Sequence, residues 1–256
     1  MQLSLAIPVY NRAKQVINSF TAVLGDPRIG EIVLCDDASE DYEDLEEEIH
    51  RLGSVKVKLF QNLHNLKAFH NKAKAVSLCQ NDWVILLDSD NCIDSTYLDA
   101  FFGEGSFCSQ ILYCPSFARP HFDFSSLANM LLKAEDLFLL SQFAEAIEDE
   151  RIGASIWSAL INCGNYVFHR ETYLSVYKTY EVFADFVGEP YAADVAYLNV
   201  LWLRQGYGMK IVPNMEYDHP ISADAFSFCY VQEKNHAYQK ILSLFLDYCY
   251  KLQEMP

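Results

Sequence analysis

Positive charge is scarce in this chain: across 256 residues, Lys and Arg number 19 against 35 Asp and Glu, giving a net charge of -16. A nucleic-acid polymer or an anionic membrane surface calls for the opposite balance, so neither is expected as the main partner. Long apolar runs are missing as well. Nowhere do about 18 apolar residues follow one another, and the opening MQLSLAIPVY has no basic leader. The expectation is a soluble cytoplasmic protein without signal peptide or membrane span. Cysteine is present but unpatterned: Cys35, Cys79, Cys92, Cys108, Cys114, Cys163, Cys229 and Cys249 form no C-x-x-C pair and show no metal-ligand spacing. They read as reduced core thiols rather than disulfides or zinc ligands.

What the chain has is ample material for a core, with 51% hydrophobic residues in a length suited to one large α/β domain. Compact apolar runs at residues 3–8, 32–35, 55–60 and 83–87 alternate with helical patterns beginning near Val16, Tyr42 and Lys67. In the third helix Ala68, Ala75 and Leu78 are expected to face inward. This alternation predicts a parallel sheet with right-handed crossovers. The second half is less regular. Residues 125–150 suggest one long helix or two short ones, and 160–168 a strand. Residues 194–205 form a helix stopped by Gly206. Short strands are expected at 210–212 and 215–217. The tail from 223 to 253 is expected to be helical, with Tyr238, Ile241, Leu242, Phe245, Tyr248 and Leu252 forming an apolar stripe that packs on the sheet. No Pro/Gly/Ser-rich stretch divides the chain, so one domain is predicted over 1–256: a nucleotide-binding half to about residue 100, an acceptor half over 101–222 and a helical tail over 223–256.

The segment VILLDSDN, residues 84–91, places Asp88 and Asp90 at the end of an uncharged strand. Strand alternation would point both to one side, within reach of one hard cation. Taken alone, a D-x-D is better explained by a turn, with Asp94 or Ser95 capping the next helix. Other strand ends change that balance. Pro8, Tyr10, Asn11 and Arg12 follow the first strand and Asp36-Asp37 the second, so three polar signals open on the ligand edge of one sheet. Tyr10 and Asp37 could receive a base, and a cation on Asp90, with Asp88, could receive a diphosphate.

IPVYNR, VLCDDASED, NLKAFHNKA and WVILLDSDN, in this order and spacing, resemble the nucleotide-binding half of family 2 glycosyltransferases of the GT-A fold. The resemblance covers the first 100 residues well, and NCGNYVFHRETYL and AADVAYLNVLWLRQGYGMKIVP more loosely. It implies an α/β GT-A domain with a mostly parallel central sheet flanked by helices. It further implies a UDP-sugar donor seated among Pro8, Tyr10, Asn11, Arg12, Asp36, Asp37, Asn71, Asp88 and Ser89. Tyr10 would pack on uracil, Asp37 would bond its N–H, and Asp36 would lie close to the nucleoside. Asp90 would hold Mn²⁺ or Mg²⁺ across the phosphates, with Asp88 nearer the ribose or donor sugar, and His219 in EYDHP is a candidate further ligand. A lone histidine there also suits an ordinary hydrogen-bonded loop, and the same holds for Asp218.

The family's base is an aspartate, usually within a Glu-Asp pair. The matching stretch Ala192-Ala193-Asp194 keeps the Asp and lacks the Glu, which makes Asp194 the candidate base, with Asp185 and Glu189 as nearby substitutes. A helix-N-terminal aspartate favoured by the dipole is the competing explanation. The chain also has Asn65-Leu66-Lys67 where the family commonly has Asn-x-Gly, and His70-Asn71 where it has Arg-Asn. Lys67, His70 and Lys74 read as solvated helix cations. An EF-hand is excluded because Ile93 and Asp99 stand where Gly and Glu are needed. Cys92 argues against an aspartyl phosphatase, and the glycine-free IPVYNRAKQ against a nucleotidyltransferase. The expectation is a metal-dependent, inverting transferase moving a hexose or N-acetylhexosamine from a UDP-sugar to a glycan or glycoconjugate hydroxyl. The alternative is an inactive GT-A domain that binds a nucleotide or glycan. A peripheral membrane contact through the C-terminal stripe stays open.

Overall fold

The computed structural model describes residues 1–120, 122–142, 148–149, 154–220 and 231–254. Its strands, in chain order, are β1 Leu3–Val9, β2 Ile29–Asp36, β3 Val57–Gln61, β4 Trp83–Leu86, β5 Ile111–Arg119, β6 Phe122–Asp123, β7 Leu131–Leu132, β8 Glu148–Asp149, β9 Ala154–Ser155, β10 Val167–His169 and β11 Gly208–Asp218. The main sheet runs β3-β2-β1-β4-β10-β5-β11-β7, with β6 on β5. The first four positions are parallel, β10 lies antiparallel between β4 and β5, and β5 and β11 are again parallel.

The helices are α1 Val16–Phe20, α2 Tyr42–Leu52, α3 Lys67–Leu78, α4 Ser95–Gly103, α5 Ala134–Gln142, α6 Ile156–Ile161, α7 Arg170–Lys178, α8 Ala184–Val187, α9 Asp194–Leu203 and α10 Val231–Gln253. Alternate strand residues feed two apolar layers, as a sheet covered on both faces requires. Leu5, Ile7, Ile32, Leu34 and Ile85 meet α1, α2 and α4 on one side. Ala6, Val33, Val84 and Leu86 meet α3 and α9 on the other. Helix α9 is apolar almost all round and buried from Ala196 to Leu203, which makes it an interior strut of the second half of the chain.

Some expectations shift. Leu160 and Ile161 end helix α6 rather than starting a strand, and only Val167–His169 pairs with β4. Residues 210–217 form one strand with an irregular register between Val212 and Glu216. The region after Ser125 holds a short 3-10 turn, β7 and α5 in place of one long helix, and residues 143–147 lie outside the described part. The stripe on α10 buries Ile241 and Phe245 against the helical layer of α9 and α5, not on the sheet itself. Residues 223–230 of that predicted helix lie outside the described residues. Cys92 and Cys108 are not core thiols, being half-buried and exposed, and Cys229 lies outside the described residues. Among the described residues no helix is long and apolar enough to cross a membrane.

Candidate active site

Parallel strands end together, and their ends carry the carboxylates. The β1–β2 register pairs Val9 with Asp36, and the Asp37 backbone N–H bonds the Val9 carbonyl at 2.9 Å. Both aspartates are buried. Asp37 Oδ1 accepts from Asn62 Nδ2 at 2.9 Å and from the Leu66 N–H at 2.8 Å. Among the described residues no hydrogen bond reaches its Oδ2. Asp36 Oδ2 accepts from the Ser39 N–H at 3.0 Å, while its Oδ1 is buried without a partner among the described residues. Burial pushes the Asp36 carboxyl above its ordinary range.

Tyr10 stands 45% exposed beside this pair, as a free ring face for stacking must. The next residue, Asn11, has φ 52° and ties the loop to the segment after β2, its N–H donating to Ser39 Oγ and its Oδ1 accepting from the Glu40 N–H, both at 2.9 Å. Asn71 is turned inward: Nδ2 donates to the Cys35 carbonyl at 3.0 Å and Oδ1 accepts from Asn62. It shapes the pocket floor by holding the end of β2.

The D-x-D corrects the argument from strand alternation. Strand β4 ends at Leu86, and Asp88 to Asn91 form a turn closed by the Asn91 N–H on the Asp88 carbonyl at 3.0 Å. Position in the turn, not strand alternation, sets where the two carboxylates point. Three anchors fix that turn. Asn165 Oδ1 receives the Asp88 N–H at 2.8 Å, Ser19 Oγ donates to the Ser89 carbonyl at 2.8 Å, and Cys92 pairs with Asp218 through two backbone bonds. The last bridge brings His219, the next residue, beside Asp90. Burial and the charge of Asp88 raise the Asp90 carboxyl above its usual value, against the opposing charges of His219 and Arg12. Asp218 is committed elsewhere, to Arg119 Nε at 2.9 Å.

Asp194 is the first residue of α9, directly after the N-cap Ala193, and it is buried. It reaches for Lys72, whose ammonium lies 2.7 Å from Asp194 Oδ2 and 2.8 Å from Asp88 Oδ1. This links the carboxylate at the start of α9 to the Asp88 turn through one cation. Burial alone would lower the Lys72 ammonium; the charges of Asp194 and Asp88 outweigh it and hold it raised. The substitutes fare worse: Asp185 is exposed on α8, and Glu189 accepts from the Tyr191 N–H at 3.4 Å.

Sequence reasoning missed Lys72 because it rotated α3. The buried face carries Phe69, Lys72, Ala73 and Val76 together with the expected Ala75, whereas Ala68 and Leu78 are only half-buried. Centring the stripe on Phe69 and Val76 would have placed a lysine on the apolar face, and buried lysines are almost always paired. Among the described residues no group of three or more His, Cys, Asp or Glu side chains is close enough together to hold a metal ion.

Residues 4–104 match the family model described as glycosyl transferase family 2. That first part of the chain is similar to family 2 glycosyl transferases, and the whole is an α/β domain of the GT-A fold. A sequence comparison with curated proteins finds no match. Among solved structures, S. aureus TarS 1–349 is 16% identical with a TM-score of 0.59, covering 99% of this chain and 73% of its own. The same protein in complex with UDP-GlcNAc is 14% identical with a TM-score of 0.62, covering 95% and 66%. GalNAc-T7 with UDP, GalNAc and Mn²⁺ is 15% identical with a TM-score of 0.57, covering 87% and 44%. The chain therefore spans about two thirds of the TarS fragments and less than half of GalNAc-T7. Its departures from the family are accommodated in the backbone: Lys67, standing at the family's glycine, takes the left-handed φ of 71°.

Proposed function

We propose that this protein is a metal-dependent, inverting glycosyltransferase, moving a hexose or N-acetylhexosamine from a UDP-sugar to a hydroxyl of a glycan or glycoconjugate. The observation that carries the reading is the Lys72 bridge, which sets the candidate base Asp194 and the donor turn at Asp88 within one ammonium of each other.

Tyr10 stacks on the uracil and Asp37, anchored through Oδ1, offers Oδ2 to its N–H. Pro8, Asn11, Arg12 and Ser89 shape the rest of the donor site around the two loops. The donor set suits a hard cation bound through one or two protein groups and completed by phosphate oxygens and water. Asp90, raised by burial and by its neighbour Asp88, gains from a cation, and His219 lies alongside. Asp88 contributes less directly, because Lys72 occupies its Oδ1. When bound, the cation would neutralise charge on the diphosphate.

Asp194 takes the proton of the acceptor hydroxyl as its oxygen attacks the anomeric carbon. The bond from that carbon to the diphosphate breaks with its electron pair leaving on UDP. One displacement of this kind inverts the anomeric configuration. A second reading, an inactive binding module, is favoured by Ala193 where the family has an acid.

Calorimetric titration of UDP with and without Mn²⁺ tests the donor site. Binding that needs the metal and disappears in Asp90→Ala supports the reading; equal binding in both refutes the metal role. Release of UDP from UDP-GlcNAc, chosen because TarS binds it, then separates enzyme from module.

A further inference from the structure

Lys72 is the one feature of the site that neither composition nor family resemblance anticipates. It is buried on α3 with its side chain about 10% exposed, between carboxylates on two different parts of the chain. One of them cannot move freely, since the Asp88 backbone is pinned by Asn165 and its turn by Ser19. The other, Asp194, is held among the described residues by this ion pair: its buried Oδ2 lies 2.7 Å from the Lys72 ammonium and accepts no geometrically formed hydrogen bond, and no hydrogen bond to Oδ1 is seen there either.

We propose that Lys72 is a positioning residue of the transfer reaction: it fixes Asp194 against the anchored Asp88, so that the free Oδ1 of Asp194 faces the acceptor hydroxyl. The inference rests on the donor and base assignments above. Its physical content is spacing as well as charge. Without the ammonium, two carboxylates would repel across the gap and the Asp194 side chain would turn to solvent. With it, one oxygen is held and the other is left for the proton. Misplacing a base by about 1 Å can cost about 10²-fold in rate, so a fixed spacing has catalytic weight. Only a compact point charge fits between two oxygens at 2.7 and 2.8 Å. An arginine there keeps the charge but presents a planar fork of different reach.

That difference provides the test. UDP release from UDP-GlcNAc, with water as acceptor, is followed in the wild type, Lys72→Met, Lys72→Arg and Asp194→Asn, alongside UDP affinity by calorimetry and thermal melting. The expected result is a kcat lowered at least about 10-fold in both Lys72 variants, with KM and UDP affinity within about 3-fold of wild type and Lys72→Arg melting close to it. Lys72→Arg added to Asp194→Asn should cost nothing further, since the lysine acts through the aspartate. A Lys72→Arg enzyme with wild-type kcat overturns the proposal, because charge balance alone would then suffice. A loss confined to KM also overturns it. Should Lys72→Met fail to fold, the arginine variant decides alone. UDP binding without any turnover in the wild type refutes a poised base and favours the binding module; absence of UDP binding instead removes the donor assignment on which the inference stands.

Discussion

Two buried carboxylate–lysine systems sit at opposite ends of the same parallel strands, and they are built differently. At the start of β2, Glu31 accepts from Ser4 Oγ and Lys58 Nζ, both at 2.6 Å, and from the Gln80 N–H at 2.5 Å. Its oxygens are fully used. At the other end, among the described residues, Lys72 holds two carboxylates that keep oxygens without hydrogen bonds, Asp36 Oδ1 is buried without a partner, and so are both amide atoms of Asn91. Left-handed residues other than glycine gather there as well: Asn11, Ala38, Lys67, Asn165 and Tyr191. Unmade hydrogen bonds cost about 1 to 3 kcal/mol each, and strained residues persist only where the surroundings hold them. A saturated ion network has no acceptor to spare; an unsaturated one keeps oxygens that further donors can use.

The comparison breaks most visibly at the base. Asp194→Asn is expected to lower UDP release from UDP-GlcNAc by about 10² to 10⁴-fold, with UDP affinity by calorimetry nearly unchanged. A wild-type rate would make Asp194 a structural partner of Lys72, no different in kind from Glu31.

Glu31→Gln should do the reverse, leaving UDP affinity and turnover alone while lowering stability by about 3 kcal/mol in denaturant unfolding, since it strands a partly buried Lys58. The pH dependence follows from the sign of its shift. Burial alone would raise the Glu31 carboxyl, but Lys58, Ser4 and the Gln80 N–H outweigh it and hold it below its ordinary value. The unfolded chain therefore binds the proton first, and the stabilisation is full above the ordinary glutamate range and lost as pH falls through the lowered folded value. The stability gap between wild type and Glu31→Gln should be widest near neutrality and narrow in acid. A gap that stays constant would show that packing, not charge, carries the site.

The same contrast explains how much could be read in advance. The first four strands and the carboxylates at their ends were readable because a sheet covered on both faces imposes apolar runs that stop abruptly, and Asp36, Asp37, Asp88 and Asp90 stand at the stops. Family resemblance supplied Asp194, which periodicity could not separate from a helix-N-terminal residue; what the structure adds is its ion pair with Lys72. Lys72 stayed hidden because its meaning is tertiary: its two partners lie 16 and 122 residues away, and no local pattern shows what a buried lysine will meet. Leu160 and Ile161 misled for a related reason, since a short apolar run suits a buried helix end as well as a strand.

The smallest expected effect isolates backbone strain from chemistry. Lys67 starts α3 at φ 71°, where a side chain is disfavoured by about 1 to 2 kcal/mol and glycine is not. Its N–H is held by Asn65 Oδ1 at 2.9 Å, and the preceding Leu66 N–H by Asp37, so the turn is imposed by the loop that covers Asp37 rather than by the lysine. Glycine lowers the strain but gains freedom in the unfolded chain, which leaves a net stabilisation of about 0.5 kcal/mol for Lys67→Gly in denaturant unfolding. UDP affinity should hold within about 2-fold if the turn is only a backbone support. A clear loss of affinity together with the gain in stability would place the Lys67 ammonium on the diphosphate, and the strained lysine would then belong with Lys72 among the groups this edge of the sheet holds ready for the donor.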